Sequence, residues 1–119
     1  MRPGDIFWVE YPATGGTEQA GRRPGLILQD DGFAGRSPLV LTVPLTTAAS
    51  TVRFPAVVPV PVTDTNGLAA DSFALVFQLR ATDRGRFGKK VGVVDPAILT
   101  AILAALDQLT GRAAVNTGS

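Results

Sequence analysis

A chain of 119 residues that is 45% hydrophobic has the size of one compact domain with a single core. Its 11 Lys and Arg side chains nearly balance 10 Asp and Glu side chains, so the net charge of +1 indicates no global attraction to nucleic acid, and any such binding must depend on local arginine clusters. The absence of cysteine excludes disulfides and thiolate metal sites, and the absence of histidine removes the most common metal ligand and general base.

The first half of the chain predicts three strands separated by polar loops. Aromatic and β-branched residues at Asp5–Tyr11 favour a strand, and the polar, glycine-rich segment 12–22 favours a loop. Strand character resumes at Gly25 with GLILQ, and after the turn-rich DDGFAGRSP it resumes again at 39–45.

The second half predicts three or four more short strands, for a total of six or seven. After the polar loop TTAASTVRFP, the segment AVVPVPV contains Pro59 and Pro61, which cannot donate to a ladder and therefore indicate an edge strand. A turn at 64–67 precedes an apolar segment, 73–79, that predicts one continuous strand. The basic turn 84–86 then leads to a last strand, GKKVGVV.

The C-terminal segment changes to a helical period. Asp95 is a candidate N-cap, Pro96 suits the first helical position, and Gly111 ends the pattern. The apolar face is predicted to consist of Leu99, Ile102, Leu103, Leu106 and Leu109. Without repeats or a linker, the chain predicts a single domain over 1–111, a small antiparallel β-barrel with a terminal helix, followed by a disordered tail, 112–119.

The segment GGTEQAGRRPGLILQDD is a candidate anion site, because a polar loop ending in two arginines runs directly into a strand. Nine of the eleven cationic side chains are arginine, which favours forked contacts to phosphate or carboxylate. Arg23 precedes Pro24, which keeps its backbone extended. In an extended chain, Arg22 lies on the side opposite to Arg23. It is expected to contribute to the local positive field or to contact a phosphate backbone.

Several of these segments together resemble the MazF/PemK toxins of bacterial toxin-antitoxin pairs: GDIFWVEY, GTEQAGRRP, GLILQDD, VPLTT and FQLRATD, with the closing helix. The resemblance extends from about residue 2 to about residue 111. It implies an SH3-like barrel, a homodimer, and an endoribonuclease that cleaves single-stranded RNA at short sequences. It also implies restraint by a cognate antitoxin with an acidic C-terminal tail, and binding of operator DNA only as the toxin-antitoxin complex.

The resemblance implies catalytic roles for Arg23 and Thr46. Metal-free RNA cleavage requires the 2′-hydroxyl to attack its own phosphate, with positive charge near the phosphorane, and yields a 2′,3′-cyclic phosphate. Arg23 is expected to stabilise that charge or act as an acid, and Thr46 to donate a hydrogen bond or relay a proton. The base stays open between Glu18 and a water, because an arginine is normally always charged. No metal or cofactor is expected.

One branch of the family places an Arg-x-Asp acid-base pair directly before the glutamine that matches Gln78. This chain has Leu75 and Phe77 at those positions, so that version of the mechanism is not transferred. The departure places the expected chemistry on Arg23 and Thr46.

The expected RNA contacts form a local basic and polar track. They are Arg22, Thr47, Gln78, Arg53, Arg84 and Arg86, with Lys89 and Lys90 nearby. The same track suits the acidic tail of an antitoxin.

Each of these assignments has a structural alternative. The two arginines could pair with Glu18, Thr46 could bond local backbone, and the amide of Gln78 could be satisfied within the protein. Glu18 could order its loop rather than act as a base.

Turn and strand-end roles are expected for Asp71, Ser72, Arg80 and Asp83. Trp8 and Phe77 are expected in the core or a dimer interface, and Phe33 and Phe54 are candidates for base stacking.

Two other functions are compatible with the sequence. A toxin of the same fold could inhibit DNA gyrase without catalysis, through its C-terminal helix. A regulator could bind RNA without cutting it. We expect a cytoplasmic protein without membrane association, because the N-terminal segment lacks a basic region followed by an apolar core, and no apolar run approaches roughly 18 residues.

Overall fold

The computed structural model describes residues 1–13, 15–16, 19–30, 32 and 36–112. Within these ranges the chain forms seven strands and one long helix. The strands are β1 Asp5–Tyr11, β2 Gly21–Ile27, β3 Leu39–Thr46, β4 Val57–Val60, β5 Ser72–Leu75, β6 Arg80–Asp83 and β7 Phe87–Val93, and the helix is α1 Pro96–Thr110. Short 3-10 turns cover Ala49–Arg53, Val76–Gln78 and Arg84–Arg86. None of the described helices is both long and apolar enough to cross a membrane.

All strand pairs are antiparallel, and β3 is the central strand. The order along the sheet is β4-β5-β3-β2-β1-β7, and β6 branches from β3. The first half of β3 pairs with β6, and its last two residues, Leu45 and Thr46, pair with β5. The predicted mainly β, antiparallel fold with a C-terminal helix is confirmed, and so is the edge position of the proline-containing strand β4.

Residues 61–71, between β4 and β5, form a bridging segment that connects the two ends of the sheet. The Val93 amide in β7 donates to the Thr65 carbonyl at 3.0 Å, so this segment lies directly against the strand at the opposite end of the sheet. Buried Asn66 holds its shape, because Oδ1 accepts from the Thr63 and Leu68 amides and Nδ2 donates to the Pro61 carbonyl at 2.8 Å. The bridging segment is therefore a rigid wall.

The core lies between the curved sheet and α1. It is built mainly from aliphatic side chains of the strands, Ile6, Leu26, Val43, Leu45, Val58, Val60 and Ala74, together with Ile102 of α1. On α1 the buried stripe is narrower than predicted. Ile102 is completely buried, whereas Leu103 is 45% exposed and Leu109 is 42% exposed, so these two leucines were wrongly assigned to the buried face. Leu103 is exposed because it lies about 100° around the helix from Ile102, which faces the core, whereas Leu109 lies in the last turn of α1.

Both ends of α1 are near the predicted residues. Asp95 has the extended backbone of an N-cap, but its carbonyl rather than its side chain accepts hydrogen bonds, from the amides of Ile98 and Leu99 in the first turn. Gly111 ends the helix with a left-handed φ of 81°. The predicted disordered tail is described only at Arg112, which pairs with Asp107 at 2.8 Å, and 113–119 lie outside the described residues.

Two predicted boundaries are wrong for tertiary reasons. The predicted loop 12–22 ends earlier, because β2 begins at Gly21 and pairs with β1 from Gly21 to Leu26, so Arg22 and Arg23 are strand residues. The predicted continuous strand 73–79 is split by the turn Val76–Gln78, since β5 and β6 pair with different parts of the same edge of β3. The chain must therefore turn between β5 and β6.

Tyr11 is a buried phenol at the end of β1. Its hydroxyl donates to Thr42 Oγ1 at 2.9 Å, and the guanidinium of Arg80 lies 4.4 Å from the ring centroid. Burial raises the pKa of Tyr11 to about 12, although the Thr42 hydrogen bond and the charges of Arg80 and Arg23 oppose this shift. The folded state therefore favours the neutral phenol.

This pKa predicts an alkaline loss of stability. Between pH 10 and 12 the unfolded chain releases the Tyr11 proton while the folded chain keeps it, so the stability present below pH 10 falls by ~3 kcal/mol as pH rises through this window. Because Tyr11 is the sole tyrosine, ultraviolet absorbance of phenolate reports it directly. We expect a native titration midpoint well above that in denaturant, and a smaller alkaline loss for Tyr11→Phe. Equal midpoints in the two states would contradict the prediction.

Candidate active site

A cavity of about 280 Å³ opens where β2, the end of β3, the bridging segment and β7 meet. Four of the predicted site residues line it: Arg22, Arg23, Thr46 and Thr47. The other lining residues are Trp8, Pro24, Leu45, Gly67, Leu68, Ala69, Ala70, Ser72 and Val91. None of the described lining residues is acidic, so the cavity suits a negatively charged group.

Arg23 enters the cavity from β2. Its backbone pairs with Val9 of β1, which anchors the residue in the sheet, and its side chain is half-buried. Nε and Nη2 donate to the carbonyl of Ala20 at 3.2 and 2.9 Å. Since a guanidinium has five N–H donors, this contact orients Arg23 without consuming its capacity to bind an anion.

Thr46 is the last residue of β3 and is buried, with 8% exposure. Its Oγ1 accepts from the Ala48 amide at 3.2 Å, which is the local backbone contact expected as the structural alternative. That contact uses an acceptor site of the hydroxyl and leaves its hydrogen for donation. Thr47 is exposed at the rim of the cavity.

Trp8 and Arg22 form a stacked pair beside the cavity. The Arg22 guanidinium carbon lies 4.5 Å from the ring centroid of Trp8. Both residues also line a smaller recess of about 130 Å³ that includes Arg86 and Glu10, the cross-strand neighbour of Arg22. Trp8 was expected in the core or in a dimer interface. The core alternative is wrong, because the β1–β7 register is irregular at this residue and leaves it half-buried on the cavity wall, and the dimer interface stays a prediction.

Three further predicted RNA contacts lie outside the lining of both cavities. Gln78 Oε1 accepts from the Gln19 amide at 2.7 Å, and Arg84 Nε donates to the Ser37 carbonyl at 2.7 Å. Exposed Arg53 lies with its guanidinium carbon 5.0 Å from the Phe54 ring centroid. Glu18 and Phe33 lie outside the described residues, so the alternatives for Glu18 stay predictions.

The polar residues expected to shape turns do make such contacts. Asp71 accepts from the Val62 amide at 2.8 Å, and Asp83 accepts from the Gly85 amide at 2.8 Å. Ser72 donates to the Ala70 carbonyl at 3.0 Å. Ser72 also lines the cavity, so its contact holds the wall beside the two arginines.

The aromatic and lysine candidates lie at other surfaces. Phe54 packs against Phe77 with ring centroids 5.4 Å apart, so its ring has an internal partner. Lys90 lies with Nζ 3.4 Å from Asp5 Oδ1, whereas Lys89 is exposed.

The wall formed by 67–70 is the part of the site that sequence reasoning missed. Its residues are small and mostly apolar, and they carry no chemical group that would mark a functional position. They reach the cavity because the bridging segment packs on β7. Among the residues that the structure describes, no cluster of three or more acidic, histidine or cysteine side chains could hold a metal.

The fold and the cavity define a small antiparallel β protein with one C-terminal helix, in which two arginines and the hydroxyls of Thr46, Thr47 and Ser72 line one cavity. Residues 2–110 match the family of the PemK-like, MazF-like toxins of type II toxin-antitoxin systems. The chain belongs to this family, as the sequence motifs predicted.

Individual relatives support the assignment. The endoribonuclease toxin MazF of Escherichia coli K12 is 33% identical over 109 residues, covering 91% of this chain and 92% of that protein. The crystal structure of MazF from Deinococcus radiodurans superposes with a TM-score of 0.80 at 26% identity, covering 93% and 96% of the two chains. A MazE-MazF structure from the same organism gives a TM-score of 0.72 at 25% identity, with the same coverage.

Proposed function

We propose that this chain is the toxin of a type II toxin-antitoxin system and cleaves single-stranded RNA at short sequences without a metal. The observation that carries the proposal is the meeting of Arg23 and Thr46 in one cavity without a described acidic lining residue. This is the pair of residues to which the family resemblance assigns catalysis, and it comes from strands β2 and β3. The endoribonuclease names of the relatives support the same conclusion.

The proposed reaction is an internal transfer at phosphorus. The 2′-oxygen forms a bond to the adjacent phosphorus as its proton passes to a base, and the 5′-oxygen leaves and takes up a proton. The products are a 2′,3′-cyclic phosphate and a 5′-hydroxyl end. Arg23 stabilises the charge that grows on the phosphorane oxygens, and Thr46 donates its hydroxyl hydrogen to one of them. The base is Glu18 or a water molecule.

The RNA strand is proposed to extend from the cavity over the Trp8–Arg22 pair toward Arg86. A guanidinium stacked on an indole offers both a charge for the backbone and a flat surface for a base. Thr47 adds a hydroxyl at the rim, and exposed Arg53 adds a more distant backbone contact. Gln78 and Arg84 are assigned to the protein's own backbone instead, because their side chains already bond Gln19 and Ser37.

The same positive surface is proposed to bind the cognate antitoxin. An acidic, disordered tail can place carboxylates on Arg22 and Arg23 and so exclude RNA. The MazE-MazF structure of a relative from Deinococcus radiodurans supports the binding of an antitoxin. We further propose a cytoplasmic homodimer built from single domains over 1–111, with operator DNA bound only by the toxin-antitoxin complex.

The direct test is incubation of the purified, antitoxin-free protein with varied single-stranded RNAs in the presence of a chelator. We expect fragments with 2′,3′-cyclic phosphate ends, and sequencing of the 5′ ends should reveal one short recognition sequence. The same RNAs annealed to complementary strands should resist cleavage. Intact single-stranded RNA would refute the proposal, and inhibition of gyrase supercoiling by a protein that leaves RNA intact would replace it with the gyrase function.

A further inference from the structure

The backbone of Gln19 is held on both sides by side chains from one distant segment. Gln78 Oε1 accepts from the Gln19 amide at 2.7 Å, and Arg80 Nη2 donates to the Gln19 carbonyl. These partners lie 59 and 61 residues further along the chain. One residue of a surface segment is therefore clamped at both polar groups of its backbone.

Arg80 is itself held rigidly. Its guanidinium lies over the ring of buried Tyr11, and the Tyr11 hydroxyl is fixed by Thr42, the residue that pairs with Arg80 between β3 and β6. Arg80 Nε is buried and has no hydrogen-bond partner among the described residues. A buried unpaired donor costs stability, and the Nη2 hydrogen bond to Gln19 and the contact with the Tyr11 ring oppose this cost.

The clamp acts on the residue that orients Arg23. Ala20 directly follows Gln19, and its carbonyl accepts both hydrogen bonds from the Arg23 guanidinium. Because peptide units are planar, fixing the carbonyl of Gln19 fixes the plane that ends at the Cα of Ala20, one peptide unit before the Ala20 carbonyl. A chain of contacts therefore runs from Gln78 and Arg80 through Gln19 and Ala20 to the guanidinium in the cavity.

We infer that Gln78 and Arg80 are positioning residues that hold the Arg23 guanidinium in its reactive direction. The inference rests on the proposed RNA cleavage. Neither side chain lines the cavity, so neither touches the reacting phosphate. Misplacement of a charged group by about 1 Å can slow an enzyme on the order of 100-fold, so a clamp of this kind has a kinetic consequence.

The test compares Gln78→Leu with Gln29→Leu. Gln29 makes the same kind of contact, since its Oε1 accepts from the Leu41 amide at 3.1 Å, but it does not lead to Arg23. We expect Gln78→Leu to lower the single-turnover cleavage rate at saturating RNA on the order of 10-fold to 100-fold, with RNA affinity nearly unchanged. Gln78→Glu, which keeps an acceptor oxygen, should recover most of the rate, and Gln29→Leu should stay near the wild-type rate.

A second measurement does not depend on cleavage. The Nε–H resonance of Arg23 in an NMR spectrum, assigned by its loss in Arg23→Lys, should lose hydrogen-exchange protection in Gln78→Leu and keep it in Gln29→Leu. Equal rates and equal protection in the two leucine variants would overturn the inference, and so would a loss confined to RNA affinity. If the wild-type protein cleaves and Gln78→Leu equals it, only the positioning role fails. If the wild-type protein does not cleave, the proposed function fails. The hydrogen-exchange protection of the Arg23 Nε–H then tests by itself whether Gln78 holds the Arg23 side chain in place.

Discussion

Replacing Arg23 with alanine is expected to lower the RNA cleavage rate on the order of 100-fold to 1,000-fold, because it removes a fixed cationic donor at the developing phosphorane. The folded structure should survive, since the side chain contributes a half-buried contact to Ala20 rather than core packing. Single-turnover cleavage at saturating RNA measures the effect on the chemical step. A urea unfolding curve of the same sample checks that the fold is intact.

Arg36→Ala serves as the matched control, because it removes one exposed arginine that lines neither arginine-lined cavity. It should lower RNA affinity at most slightly and leave the rate at saturation unchanged. Arg23→Lys keeps the charge but loses the forked geometry, and it should remain well below the wild-type rate. If Arg23→Ala cleaves at a rate close to that of Arg36→Ala, Arg23 has no catalytic role and the proposed mechanism is wrong.

Substitution of Gly67 by alanine is expected to lower the stability of the folded state strongly. Gly67 has a φ of 67°, and an added Cβ would lie 2.0 Å from the carbonyl oxygen of Val91. Both the backbone conformation and the contact with a neighbouring strand oppose a side chain here. We expect a loss on the order of 3 kcal/mol in the free energy of unfolding, measured in urea. Cleavage should also fall, because Gly67 and Val91 both line the cavity.

The comparison variant for this prediction is Gly111→Ala. Gly111 also has a positive φ, 81°, but an added Cβ would meet no atom within 4 Å. It therefore reports the backbone strain alone, which we expect to cost about 1 kcal/mol, without an effect on cleavage. Similar losses for the two alanine variants would show that the bridging segment yields easily, contrary to its description as a rigid wall.

Local sequence signals were sufficient where the structure depends on neighbouring residues. The aromatic and β-branched run of β1 forms the strand that its composition predicted, with the same bounds. Proline at the start of α1 and glycine after its end mark the helix correctly, because both act through their own backbone conformation. The prolines of β4 likewise indicated an edge strand, since a missing amide is harmful only inside a sheet.

The same signals failed where pairing between distant strands determines the local structure. Arg22 and Arg23 were predicted to lie in a loop, but they pair with β1 and are part of β2. An apolar run at 73–79 read as one strand, yet β3 accepts β5 and β6 at different positions and the chain turns between them. Leu103 was predicted to lie on the buried face of α1, but that face is centred on Ile102.

The sequence by itself determined the family and the chemical groups of the proposed site, because motif order and residue type are local properties. It identified Arg23 and Thr46, and the absence of histidine and cysteine narrowed their possible chemistry. Only the tertiary structure decided that Arg23 and Thr46, which are 23 residues apart in the chain and lie on different strands, face one cavity. It also decided that Trp8 forms part of the cavity wall, and that Gln78 bonds Gln19 instead of lining that cavity. Such placements follow from contacts between distant segments, which no local pattern encodes.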